Sequence, residues 1–257
     1  MTKQKLVRLS QSHLNLLSIC PPKFQQVYLD GLGTIPNLQQ QEGMKWGSQF
    51  HLLMQQRELT LPIEPFLTND PQLNVSFNAL VETATELFSQ ETDIWREAEH
   101  YRTLTYGNFI ITVVYDLLIA REDRGLILDW KTYRQPRQAN QLANNWQTRL
   151  YLYVLAQTSE YTPEQIQMTY WFVKSDRPKS VTFSYSQLQH QQTERDLMNL
   201  LAELETWLQN YQQHQVDFPH RSECESKCPY HQFLSSSTTE KHQELIASID
   251  RIAEISI

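Results

Sequence analysis

From Phe109 to Ala120 the chain runs through β-branched and aliphatic residues with little interruption, breaks at Arg121-Glu-Asp-Arg-Gly125, and resumes as Leu126-Ile127-Leu128. Two apolar runs bounded by a short polar break predict a hairpin of buried strands. Upstream, a short helix is expected over 12–18 and a largely helical region over 38–88, interrupted by a loop between Pro62 and Pro71. A further strand is expected near 99–105, and the second strand of the hairpin over 126–132. A long helix follows over 138–157, then strands over 167–174 and 180–185 joined through Ser175-Asp-Arg-Pro178. From 186 to 213 the spacing of Leu197, Leu200, Leu201, Leu204 and Leu208 predicts an amphipathic helix. The order β-β-β-α-β with flanking helices places the chain in the α/β class, with an N-terminal helical elaboration. At 257 residues it fits one elaborated domain over 1–234, and Ser235-Ser-Ser-Thr-Thr239 reads as a linker to a final helix ending at 257.

The hairpin carries charges where burial is costly. Asp116 interrupts the first strand, and Asp129-Trp130-Lys131 closes the second. An unpaired charge inside apolar sequence is expensive, so these groups need partners. Alternation along a strand puts Asp129 and Lys131 on one face and Trp130 on the other. If the chain turns between Glu122 and Asp123, Asp116 falls opposite Asp129 and all three charges converge. Two carboxylates that close repel unless a cation lies between them, and an oxygen-rich site suits Mg²⁺ or Mn²⁺. A lysine beside such a cation can orient water and stabilise charge on a pentavalent phosphorus transition state. The composition of the site points to phosphodiester hydrolysis. The plainer alternative is a buried Asp-Lys ion pair with a second, exposed aspartate.

Asp116 followed by Asp129-Trp130-Lys131 resembles the bipartite signature of the PD-(D/E)XK nuclease superfamily, and the surrounding chain resembles its RecB/Cas4-like branch. Three further segments carry the resemblance in the family's order. Gly47-Ser-Gln-Phe-His51 is similar to the upstream G-x-x-x-H helix motif, Gln147-Thr-Arg-Leu-Tyr151 to the downstream Q-x-x-x-Y motif, and Ser12 to Cys20-Pro21 to the opening segment. The resemblance implies a restriction-endonuclease-like mixed sheet flanked by helices. It implies a metal-dependent deoxyribonuclease with His51, Asp116, Asp129 and the Trp130 carbonyl as ligands of Mg²⁺ or Mn²⁺, Lys131 as catalytic lysine, and Gln147 and Tyr151 toward the substrate. Glu99, with Glu97 as its rival, is a candidate for a second metal or a water. Where relatives have a glycine shortly before the first aspartate, this chain has Thr112-Val113-Val114.

The same motifs make physical sense without the family. Gly47 and His51 are four positions apart and share a helical face, the glycine permitting close approach to the sheet. Gln147 and Tyr151 share a face in the same way, with simple helix packing as the alternative, since Leu150, Leu152, Val154 and Leu155 are core-like.

A formal charge of −7 argues against a protein that coats nucleic acid non-specifically, while leaving room for a local basic groove. Arg134, Arg137 and Arg149 form one candidate set for it, and Lys174, Arg177 and Lys179 another. Three cysteines and no signal-like apolar run lead to the expectation of a cytoplasmic, membrane-free protein. Relatives in the Cas4-like group hold an iron-sulfur cluster with four cysteines. Here Cys20, Cys224 and Cys228 lack a fourth, so no cluster is expected, and His231 is the residue that would complete a Cys3His set suited to zinc. The expected partners are DNA and a helicase or other repair or defence protein. The alternatives are a catalytically silent nucleic-acid-binding or scaffold module, and a small-molecule phosphohydrolase.

Overall fold

The computed structural model describes residues 6–33, 36–88, 94–133, 139–174 and 177–221. The elements are β1 (Val7–Leu9), α1 (Gln11–Ile19), α2 (Pro21–Phe24) and a π-helical turn over Gln25–Leu29. Then come α3 (Leu38–Glu58), α4 (Glu64–Asn69), α5 (Pro71–Thr83) and α6 (Thr85–Phe88). The sheet strands β2 (Trp95–Tyr106), β3 (Phe109–Ala120) and β4 (Gly125–Lys131) follow. After them lie α7 (Ala139–Ala143), α8 (Trp146–Gln157), β5 (Ile166–Phe172), β6 (Lys179–Ser184) and α9 (Gln187–His214). By their contacts the described residues fall into two compact units, bounded as Met1–Asn15 with Ile35–Ala202, and Leu16–Thr34 with Glu203–Ile257.

The first unit is built on a six-stranded mixed sheet in the order β1-β3-β4-β5-β6, with β2 paired along the other edge of β3. β1–β3 and β4–β5 are parallel and the remaining pairs antiparallel. Parallel pairing of β4 with β5 requires a crossover, which α8 supplies. The hairpin register is the one expected from a turn at Glu122-Asp123: Leu117 pairs with Leu128 and Ala120 with Gly125. Its turn is closed by Arg121 N–H donating to the Arg124 carbonyl at 2.9 Å.

Helices cover both faces of this sheet. On one, Trp46, Phe50, Leu53 and Met54 of α3 and Leu73, Phe77 and Leu80 of α5 enclose Leu117, Ile119, Leu128 and Trp130. Side chains of this size contribute about 1.5–3 kcal/mol each when fully buried, so this cluster fixes α3 firmly. On the other face α8 lies against β2, β3 and β5. The second unit centres on Phe218, which meets Phe24, Trp207 and Tyr211, while the buried Gln25 side chain donates to Asp217 and accepts from Phe218 N–H.

Three expectations need revision. The stretch between Pro62 and Pro71 contains α4, because prolines at helix starts are tolerated where the N–H has no intrahelical partner anyway. The expected single helix over 138–157 is two helices, since Asn145 takes an extended conformation and caps α8 through its side chain. Val7–Leu9, too short for a periodic signal, is a strand. The expected linker and final helix after 234 lie outside the described residues. No described helix is long and apolar enough to cross a membrane.

Two glycines of α3 give a paired test. A Cβ on Gly47 would sit 2.9 Å from Thr132 Oγ1, whereas one on exposed Gly43 meets nothing within 4 Å. Gly43→Ala is expected to stabilise the chain by about 0.5–1 kcal/mol through helix entropy. Gly47→Ala is expected to destabilise it by about 1–3 kcal/mol through overpacking. Urea unfolding of both variants checks the sign reversal.

Candidate active site

The site forms where β3 and β4 part. Their ladder ends at Leu117 and Leu128, and the next residue on β3, Asp116, turns its carboxylate across the gap to accept the Trp130 backbone N–H at 2.6 Å. A side-chain oxygen thereby replaces the carbonyl that a continued ladder would have offered. Beyond this point, among the described residues, β4 pairs only with β5, and β3 pairs with β2 and β1. Asp116 is left at the fork, with its other oxygen 3.4 Å from His51 Nδ1.

His51 reaches Asp116 from α3, one turn after Gly47. The close seat of Gly47 against Thr132, next to Lys131, brings this stretch of α3 down onto the end of β4. Glu99 of β2 joins from the far side of β3, with Oε1 3.9 Å from His51 Nδ1. Among the described residues, His51, Glu99 and Asp116 form a group whose ligand atoms all lie within 4.8 Å of one another, a spacing that can hold a metal ion. One imidazole nitrogen and two carboxylates form a hard donor set, suited to a divalent cation. Glu97 is elsewhere, paired with His100 Nδ1 at 2.7 Å.

Lys131 and Asp129 project from β4 toward α8. The Lys131 ammonium is 2.5 Å from Asp129 Oδ1, donates to Gln147 Oε1 at 2.7 Å, and lies 4.8 Å over the Tyr170 ring. The Gln147 amide donates to Asp129 Oδ2 at 2.5 Å. One glutamine thus bridges the lysine and the carboxylate, using both ends of its amide. Gln147 stands in the first turn of α8, fixed by the Asn145 cap. Asn145 Oδ1 accepts from Gln147 N–H at 2.8 Å and from Asn15 Nδ2 at 2.9 Å, and Asn15 Oδ1 accepts from Trp146 N–H. The carboxamide of Asn15 on α1 is a positioning element that sequence reading missed. Its signal was faint, a polar residue among Leu14, Leu16 and Leu17.

Trp130, between the two charged residues, is buried with its ring among the α3 residues. Tyr151 is only 3% exposed. Its ring meets Tyr115 edge-on and its backbone carbonyl accepts from the Tyr115 hydroxyl, so it packs behind Gln147, away from solvent. Arg149, a groove candidate, is held by Asp196 at 2.5 Å and stacks on Trp146. Lys174 sits 4.4 Å over the Trp46 ring. Cys20 is buried at the start of α2. Arg134, Arg137, Cys224, Cys228 and His231 lie outside the described residues.

The charges are strongly coupled. Burial works against the His51 imidazolium, but its hydrogen bond to Asp116 and the charges of Asp116, Asp129 and Glu99 outweigh it and raise its pKa to about 9. Burial and repulsion from Asp116 raise Asp129 to about 6 despite Lys131. Burial, then Asp116, also pushes Glu99 upward, with His51 opposing. In the absence of metal the site therefore holds protons that a solvated one would release.

The model of the PD-(D/E)XK nuclease superfamily matches residues 8–233. Among solved structures, one described as "Putative exonuclease" from Eubacterium rectale aligns at 12% identity with a TM-score of 0.53, covering 99% of this chain and 91% of its own. Another, of SSO0001, aligns at 12% identity with a TM-score of 0.36, covering 90% and 88%. A search of curated proteins finds no match.

The raised Asp129 pKa gives a signed prediction. A carboxyl at about 6 in the folded chain against an ordinary 3.8 contributes stability that is complete below about pH 4 and lost as pH rises through 6. Asparagine at 129 does not titrate. In chelator, the stability of Asp129→Asn relative to wild type is expected to climb between pH 4 and 6 and then level off. Denaturant unfolding at several pH values reads the difference, and a flat line would mean that burial and Asp116 together do not raise the Asp129 carboxyl.

Proposed function

The chain belongs to the PD-(D/E)XK nuclease superfamily, and on that footing we propose that it is a metal-dependent deoxyribonuclease of the RecB/Cas4-like branch. The observation that carries the reading is the meeting of His51 and Asp116 at the strand fork beside the Lys131–Gln147–Asp129 network. In this reading His51, Asp116, Asp129 and the Trp130 carbonyl hold Mg²⁺ or Mn²⁺. When bound, the cation makes a water acidic enough to attack at neutral pH and offsets charge on the phosphate.

The chain's own groups do the rest. Lys131 brings a positive charge to the phosphate oxygens as they gain negative charge in the transition state. Gln147 and the Tyr170 ring keep its ammonium aimed and so limit the reorganisation needed at the moment of reaction. Tyr151, behind Gln147, acts as a positioning residue. His51 must lose the proton that Asp116 helps it keep before Nδ1 can bind a cation, so cation affinity strengthens as pH rises toward 9. DNA is the proposed substrate, a helicase or other repair or defence protein the proposed partner, and the cytoplasm the proposed location. The net charge of −7 favours one competing reading, a catalytically silent nucleic-acid-binding or scaffold module of a larger complex.

The test is cleavage of end-labelled single- and double-stranded DNA with Mg²⁺ or Mn²⁺. Wild type should cut, chelator should stop it, and Lys131→Ala should slow it on the order of 10²–10³-fold, as removal of a charge-stabilising group does. Equal cutting by wild type and Lys131→Ala would trace the activity to a contaminant and leave the silent-module reading.

A further inference from the structure

Arg149 is two residues from Gln147 on α8, yet its guanidinium goes to Asp196 of α9, at 2.5 Å, and to the Trp146 ring. There it lines a second cavity, of about 220 Å³, between α8, the end of β6 and the first half of α9. Leu152, Phe183 and Tyr185 give this cavity an apolar side, with Leu152 and Tyr185 buried. The other side is polar and has capacity to spare. A guanidinium carries five N–H donors, and the bond to Asp196 uses one of them. The Gln189 carbonyl accepts from Ser186 Oγ at 3.0 Å, while its amide nitrogen has no partner among the described residues. The Asn144 side chain has none among them either.

The charges of the lining cancel. Among the described residues Arg149 and Asp196 are the charged groups that line the cavity, and they are paired. Asp196 is also taken up at its other oxygen, which accepts from Gln192 Nε2 at 2.8 Å. What is left for a ligand is a set of N–H donors beside an apolar wall, with no net charge. A volume of this size lies below the roughly 300–1,000 Å³ of drug-sized sites, so the occupant is small. A neutral ring with carbonyl acceptors and a flat apolar face meets these terms, and a pyrimidine nucleoside is such a molecule. A phosphate would have to draw Arg149 away from Asp196 and leave that carboxylate without its counter-charge.

One wall of the cavity also serves the catalytic lysine. Thr148, buried and next to Gln147, lines the cavity. Its hydroxyl donates to the Leu142 carbonyl at 2.6 Å, so its single hydrogen is in use and it accepts from the Tyr170 hydroxyl at 2.7 Å. The Tyr170 ring in turn lies 4.8 Å from the Lys131 ammonium. We propose that this cavity binds a neutral pyrimidine nucleoside and that the bound nucleoside acts on Lys131 through Thr148 and Tyr170, the second half resting on the metal-dependent nuclease reading. An occupant packed between α8 and α9 restricts Thr148 and hence the Tyr170 ring that helps to aim the ammonium. Ordering of that kind favours turnover, because less rearrangement remains for the moment of reaction.

Calorimetric titration of the full chain in chelator with thymidine and with dTMP tests the site without any nuclease assay. Thymidine is expected to bind, and dTMP to bind on the order of ten-fold more weakly, since its phosphate competes with Asp196 for Arg149. Asn144→Ala and Gln189→Ala, both at exposed positions, should each weaken thymidine roughly three- to ten-fold, as loss of one hydrogen bond does. Ser184→Trp, which places a ring at the exposed rim, should abolish binding. The coupling is read from DNA cleavage with Mg²⁺ or Mn²⁺: saturating thymidine should raise kcat about five-fold or more, the lower end of ordinary coupling between sites. Tyr170→Phe, which breaks the link to Thr148 and lies outside the cavity lining, should bind thymidine as wild type does and lose that rise. Absence of thymidine binding, or tighter binding of dTMP, would overturn the site. Binding with an unchanged kcat would overturn the coupling, and binding by a chain that cuts no DNA would overturn the nuclease reading and the coupling together while leaving the site.

Discussion

A single hydrogen bond organises the site: the Asp116 carboxylate accepting the Trp130 N–H. In a continuous antiparallel ladder that N–H would be available to a backbone carbonyl of β3, and the two strands would stay zipped. By accepting it with a side chain, Asp116 satisfies the donor and ends the ladder in one stroke, so the sheet opens without leaving that amide unpaired. The opening has chemistry on both sides. His51 and Glu99 gather around Asp116, and Lys131 and Gln147 around Asp129. The two groups remain electrostatically joined, since repulsion from Asp116 contributes to holding Asp129 above the usual carboxylate range and both carboxylates help to hold the imidazolium.

Much of this was legible in the residues. The polar break at Arg121–Gly125 between apolar runs set the hairpin register, and with it the nearness of Asp116 to Asp129. The four-residue spacing of Gly47 and His51 announced a helix face that must come close to the sheet, and Thr132 is what the glycine meets. These features survive translation because they rest on periodicity and on local sterics, which a sequence displays directly. The α/β sheet flanked by helices was readable for the same reason.

What escaped depends on long-range placement. Nothing around Glu99 signals a positive φ. It is no glycine or asparagine, and only the two strands pairing around it impose that conformation. Tyr151 reads as a group for substrate, yet Tyr115, distant in sequence, covers it. Gln147 reads the same way, and its amide is taken up between Lys131 and Asp129. The break before α8 turns on Asn145 capping a helix whose first turn is also held by Asn15, 130 residues earlier. The cluster around Phe218 likewise joins segments far apart in the chain, Phe24 with Trp207 and Tyr211.

The left-handed backbone of Glu99 in β2, with φ of +52°, also bears on strand addition. Among the described residues β2 pairs with β3 alone, so its other side is a sheet edge over a strand running from Trp95 to Tyr106. A straight edge of that length, carrying exposed Trp95 and Tyr101, would be a template for a second chain to add a strand. The left-handed residue Glu99 interrupts this edge in its middle, as it does the ladder to β3, which has no pair at Glu99, and so shortens each uninterrupted stretch. The backbone conformation of Glu99 thereby works against edge-to-edge strand addition.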